Sequence, residues 1–183
     1  MVRILVLYGS SEGHTEKIAT VMGNALIDAG FAADVIEAGT VDPDVASYDG
    51  VIVAASLHRG FFQKSLVSCV HTHRAEIAAR PNAFVPVCLA VMQMNDPKVS
   101  ADLEIVMQRF VASGGWPPSQ TKFVAGALPY TRYNVVTRWL MKRIVAKAGG
   151  DTDTSRDYVY TDWNEVKAFA VDFGRRVRGA AAA

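Results

Sequence analysis

The sequence has no uninterrupted apolar run of about 18 residues, the length a membrane-spanning helix requires. Cysteine is scarce: Cys69 and Cys88 are the only two among 183 residues, and neither stands at metal-ligand spacing. Both lie in apolar segments, so they are expected to be small buried hydrophobes in a reducing compartment, and no metal site is expected. Net charge is only +1, which excludes the broad basic footprint of a general nucleic-acid binder. The start, MVRILVLYGS, lacks the charged opening, long apolar stretch and cleavage site of a signal peptide, so a cytoplasmic location is expected. Two nucleotide-binding patterns are missing: no Gly-Lys-Ser/Thr closes a Walker loop, and no G-x-G-x-x-G follows a strand. One local absence stands out. Residues 129–150 contain Arg132, Arg138, Lys142, Arg143 and Lys147 and not one acid.

What is present is an apolar half of the composition, enough for one sizeable core. A single domain over 1–178 is expected, with a frayed tail at 179–183. Strand and helix patterns alternate. Residues 2–8, 48–56 and 83–91 are continuous apolar runs, the mark of strands covered on both faces, and 33–37 and 121–128 complete five strands. Residues 14–29, 62–78 and 96–113 carry apolar residues at helical spacing, and a last helix runs to about Arg178 behind an Asp162–Glu165 capping pattern. Strands joined by single helices demand right-handed crossovers and a parallel α/β sheet with helices on both faces, in the order 2-1-3-4-5.

In such a sheet, ligands sit beyond the carboxyl ends of the strands where the order reverses, between strands 1 and 3. The stretch GSSEGHT (9–15) falls there and opens a helix, whose first N–H groups are unpaired and carry about half a positive charge. Ser10, Ser11 and Thr15 add hydroxyls, and Gly13 permits close backbone approach. Serine, threonine and glycine before a helix also make ordinary turns and caps. The strand–helix context favours a single monophosphate, hence a mononucleotide such as FMN. Across the switch point, Ser56, Leu57, His58, Arg59 and Gly60 end strand 3 and are expected to flank a planar ring. Residues Leu89, Ala90, Val91 and Met92 form the third wall, through backbone or methionine.

These residues resemble a known family. SSEGHTEKIA matches the flavodoxin phosphate-loop pattern, and AGALPYTRY, GGDTDT and YTDW are similar to the C-terminal signature of the bacterial quinone-linked protoporphyrinogen oxidases. The resemblance spans essentially the whole chain. It implies a flavodoxin-like fold whose last strand is split by an insert at about 129–156, and an FMN enzyme of haem biosynthesis. That enzyme would pass electrons from protoporphyrinogen IX to a membrane quinone. The phosphate would rest on Ser10, Ser11, the Glu12 backbone, Gly13, His14 and Thr15. The sequence departs from the family pattern twice. Glu12 stands where flavodoxins often have threonine, and Arg59 stands beside Gly60 where the family often offers an aromatic residue. Phe61 or Phe62 is the expected substitute for stacking.

Two further expectations concern charge. His58 and Arg59, as cations beside a reduced ring, would stabilise its anionic form and raise its potential. On a helical wheel of 132–148, Leu140, Met141, Ile144, Val145 and Ala148 share one face, and the five cations share the other with Trp139. That face, with Tyr130 and Tyr133, is expected to meet porphyrin propionates or an anionic lipid surface, peripherally on the inner face of the cell membrane. The alternatives are a flavodoxin-type electron carrier and an NAD(P)H-fed quinone reductase, and a homo-oligomer remains open.

Overall fold

β-Branched and aliphatic runs with no polar alternation have only one stable place, the middle of a sheet buried on both sides. The computed structural model describes residues 1–58, 60–132, 134–147 and 151–181, and leaves aside the side chains of residues 132, 136, 137, 140, 141, 144 and 147. Strands β1 (Arg3–Gly9), β2 (Ala32–Glu37), β3 (Gly50–Ser56), β4 (Asn82–Cys88) and β5 (Val124–Ala125) form a parallel sheet in the order β2-β1-β3-β4-β5. Every residue of β3 and β4 is buried.

Alternate residues of each strand feed two cores. Ile4, Val6, Ile52 and Val85 pack under helices α1 (His14–Asp28) and α5 (Trp163–Ala181). Leu5, Leu7, Val51 and Phe84 pack under α2 (Lys64–Ala78) and α3 (Pro97–Ala112). Phe84 stacks on Phe110 at 4.7 Å and meets Phe62 and Trp116 edge-on. Burying each such side chain stabilises the fold by about 1.5–3 kcal/mol. Asp96 caps α3 by accepting from the Lys98 amide at 2.9 Å. Asp162 caps α5 by accepting from the amides of Asn164 and Glu165. Glu165 does not reach back to complete the expected capping box; it pairs instead with Lys122.

The interruption of the last strand takes a specific form. β5 pairs with β4 for two residues only, and the chain then leaves the sheet at Gly126. Strand β6 (Ala127–Leu128) pairs antiparallel with β7 (Tyr158–Val159), outside the main sheet. Helix α4 (Val135–Lys147) lies between them in sequence. Leu128, Tyr130 and Val145 form a third small core, joined by Leu89, Tyr158 and Tyr160, which explains why the chain turns away here. β4 also ends three residues earlier than its apolar run, at Cys88, and Leu89–Gln93 coil into a 3₁₀ turn. No helix among the described residues is long and apolar enough to cross a membrane.

Candidate functional site

The site is built from three loops at the carboxyl ends of β1, β3 and β4. The first joins β1 to α1. Gly13, the residue before α1, has φ 81°, a left-handed conformation that side chains other than glycine resist. Its N–H donates to Ser10 Oγ at 2.9 Å, so the Ser10 hydroxyl proton is left to point outward. No side chain caps α1, in contrast to α3 and α5. Its first backbone N–H groups are therefore aimed at whatever sits beyond the helix. Thr15 is 1% exposed, and its hydroxyl has no hydrogen-bond partner among the described residues. The residue is packed but its hydroxyl oxygen is not enclosed, so it is open to a ligand oxygen at the start of α1.

His14 is tied elsewhere. The Thr161 hydroxyl donates to the Ala125 carbonyl at 2.6 Å, so its oxygen accepts from His14 Nε2–H at 2.7 Å. The neutral ring then carries its proton on Nε2, and only its backbone N–H serves the loop. Burial, and then Lys17, pull the His14 pKa below the usual histidine value, which keeps the ring neutral. Trp163 packs against it at 5.7 Å.

The second loop follows β3. His58 and Phe61 exchange backbone hydrogen bonds of 2.9 and 3.0 Å, closing a tight turn with Gly60 at φ 83°. His58 is exposed, Leu57 and Gly60 are half-exposed, and Ser56 is 8% exposed. Arg59 lies outside the described residues. Gln63, which the sequence reading did not single out, stitches the first two loops together. With its oxygen toward the Ser11 and Ser56 hydroxyls it accepts from both, 2.7 Å from Ser11. Its NH₂ then donates to the carbonyls of Gly9 (3.2 Å) and Ser56 (3.3 Å). Gly9 makes this approach possible: a Cβ there would stand 2.9 Å from that of Leu66.

The third wall is the 3₁₀ turn Leu89–Gln93. Burial pushes the Cys88 thiol up, with the neighbouring amides of Val91 and Ala90 working in the other direction. Leu89 packs against the Tyr130 core, so Met92, 47% exposed, is the side chain this turn presents.

The cationic segment is partly corrected. Tyr130 is fully buried, donates to the Asp151 carbonyl at 2.9 Å and meets Tyr158 edge-on. It belongs to the third core, not to an outward surface. Asp151 also accepts from Tyr160 at 2.8 Å; burial and then this carboxylate push the Tyr160 pKa up to about 12. Arg138 is half-buried, with its Nε out of solvent. Lys142, Arg143 and Trp139 are exposed, and the Arg143 guanidinium lies 4.9 Å from the Trp139 ring. Tyr133 and the side chains of Arg132 and Lys147 fall outside the described residues, as do Leu140, Met141, Ile144 and Ala148 of the apolar face. Val145 of that face is buried as expected.

A flavodoxin domain matches residues 5–155. The chain is 34% identical over 173 residues to a protoporphyrinogen IX dehydrogenase (quinone) of Leishmania major, covering 93% of this chain and 74% of that one. It is 31% identical over 169 residues to the enzyme of the same name from Escherichia coli (strain K12), covering 92% of each. Among solved structures, it resembles flavodoxin 2 from Bacillus cereus with a TM-score of 0.57 at 16% identity, over 96% of this chain and 99% of that one. A cysteine-to-serine mutant of a flavodoxin from Pseudomonas aeruginosa gives 0.56 at 12% identity, over 97% and 99%. These two share the fold. The chain belongs to the flavodoxin domain family, in which its curated relatives are protoporphyrinogen IX dehydrogenases.

Proposed function

We propose that this protein is an FMN-dependent oxidoreductase that converts protoporphyrinogen IX to protoporphyrin IX and delivers the electrons to a membrane quinone. The observation that carries the reading is the open start of α1, with the partnerless Thr15 hydroxyl beneath it. That arrangement fits a phosphate monoester, and the loop offers no lysine in its place. The family supplies the flavin, and its named relatives supply the substrate class and the acceptor.

In this reading the Ser10 and Thr15 hydroxyls and the backbone N–H groups of Ser11, Glu12, His14 and Thr15 hold the phosphate, while the Gly13 N–H stays on Ser10 Oγ. Ser56 to Gly60 line one side of the ring, and Leu89 to Met92 the other, through backbone or the exposed Met92 side chain. Bound FMN supplies the two-electron chemistry, and three such oxidations account for the six electrons that separate porphyrinogen from porphyrin. The chain's own part is to hold, orient and tune. Gln63 locks the phosphate loop to the β3 loop, so the two ends of the cofactor site move together. His58 and Arg59 are the groups whose positive charge would favour a reduced, anionic ring. No residue is required as a nucleophile. The exposed Lys142, Arg143 and Trp139 of α4 would rest on an anionic lipid surface, each cation contributing about 1 kcal/mol. That makes the protein peripheral where the quinone resides.

The test is anaerobic mixing of FMN-loaded protein with protoporphyrinogen and a quinone. Porphyrin fluorescence should rise in step with quinone reduction. Quinone reduction driven by NAD(P)H, without porphyrin formation, would instead establish the reductase alternative.

A further inference from the structure

The helical face opposite α1 and α5 holds a groove that none of these roles uses. It has a volume of ≈ 550 Å³ and runs between α2 and α3 from the loop after β3. Phe61, Phe62 and Phe110 are among the residues that line it. Phe62 is held in place, 5.1 Å from Phe84 and 5.4 Å from Phe110, both edge-on. Phe61 is 74% exposed, an aromatic ring left in water at the mouth of an apolar cleft. The charged or titratable residues lining the groove are Lys64, His71 and Arg109, and none is acidic. Lys64 and Arg109 are exposed and have no acidic partner among the described residues.

Two further large grooves among the described residues have the opposite electrostatics. The one between α1 and the β6–β7 hairpin, ≈ 610 Å³, is lined by Glu12, Glu16 and Asp157 against a single Lys17. The one between α3 and residues 117–123, ≈ 660 Å³, has Glu104 and no cation. A flat, apolar, doubly carboxylated molecule is repelled by the first and unaided by the second. The α2–α3 groove offers it aromatic surface and two separate exposed cations among its lining residues.

We propose that the α2–α3 groove is the docking site of the tetrapyrrole dicarboxylate, with the macrocycle laid on Phe61 and its two propionates paired with Lys64 and Arg109. The inference rests on the porphyrinogen reading above and adds a location to it. The turn of residues 58–61 serves both sites: one side is assigned to the flavin ring, and Gly60 and Phe61 form the wall of the groove. A macrocycle in the groove thereby has its edge beside the oxidant. The assignment separates two surfaces, with the groove taking the substrate and the exposed cations of α4 taking the lipid.

The experiment compares wild type with the K64E/R109E double variant, both as FMN-loaded full chains, on protoporphyrinogen and on its dimethyl ester. FMN affinity serves as the readout of an intact fold. KM for the diacid should rise at least tenfold in the double variant, with kcat within twofold and FMN affinity unchanged. KM for the ester should be the same in both proteins. Phe61→Ser should raise KM for diacid and ester alike. An unchanged diacid KM in the double variant overturns the groove and leaves the enzymatic reading standing. An equal rise for the ester overturns the pairing of propionates with these cations. A wild type that forms no porphyrin sinks both readings.

Discussion

The two ends of the sheet treat their buried polar groups in opposite ways. At the amino end, Asn82 opens β4 and is 3% exposed. Its Oδ1 accepts from the Trp116 indole and the Ser119 amide, both at 2.8 Å. Its NH₂ donates to the carbonyls of Ile77 (3.2 Å) and Arg80 (2.9 Å). Every capacity of that amide is used. At the carboxyl end, the hydroxyl of the packed Thr15 has no partner among the described residues and is not enclosed, and neither α1 nor α2 has a side-chain cap. α3 and α5 are capped by aspartates. The chain is therefore able to satisfy such groups, and leaves them open where a ligand completes them. One end is finished by the protein, and the other is the end at which the proposed cofactor would supply the partners.

Breaking the closed end should give the largest effect. Asn82→Ala leaves a buried indole N–H, an amide and two carbonyls short of partners and should cost about 3 kcal/mol of stability in denaturant unfolding. FMN affinity of the folded fraction should not change. Thr15→Val at the open end keeps the volume and removes the hydroxyl. FMN affinity should fall about tenfold, roughly 1.4 kcal/mol, in a flavin-fluorescence titration, with apo-protein stability unchanged or slightly raised. A loss of apo stability instead would mean that Thr15 has a structural partner and that the contrast between the ends is false.

The smallest effect concerns two histidines and pH. The folded-state pKa of His14 is lowered, so the unfolded chain takes up its proton first. Its contribution is intact above the ordinary histidine value, about 6.5, and is lost as pH falls below it. For His73 burial works to lower the pKa, but Asp42 and Glu76 together raise it. Its contribution is present below about 6.5 and is lost as pH rises above that value. His14→Gln should flatten the acid limb of the stability profile and His73→Gln the alkaline limb, as measured by thermal unfolding across about pH 5–8.

Much of the candidate site was legible because its signals are local. A strand ending in GSSEGHT before an amphipathic helix carries its own position in an α/β sheet. The contacts that lock the site are not local. Gln63 reaches Ser11 across 52 residues, and His14 meets Thr161 across 147. No spacing rule connects such pairs. The helical wheel assigned Arg138 to a solvated face because it counts periodicity and knows nothing of neighbours. Tyr130 looked like an interfacial aromatic residue and is instead the centre of a small core, since Tyr158, far along the chain, folds against it. The apolar run 83–91 overran its strand because Leu89 packs into the small core around Tyr130 and the chain coils into a 3₁₀ turn there.

By itself, the sequence determined the parallel sheet, its order and the place of the β1–α1 loop, because uninterrupted β-branched runs, glycine stops and helix spacing act over a few residues. Only the tertiary structure decided which polar groups are satisfied, which tautomer His14 adopts, and that Lys64 and Arg109 line one aromatic groove. Those outcomes depend on which side chains distant in sequence meet in space, and pairing at that range is fixed by packing of the whole core.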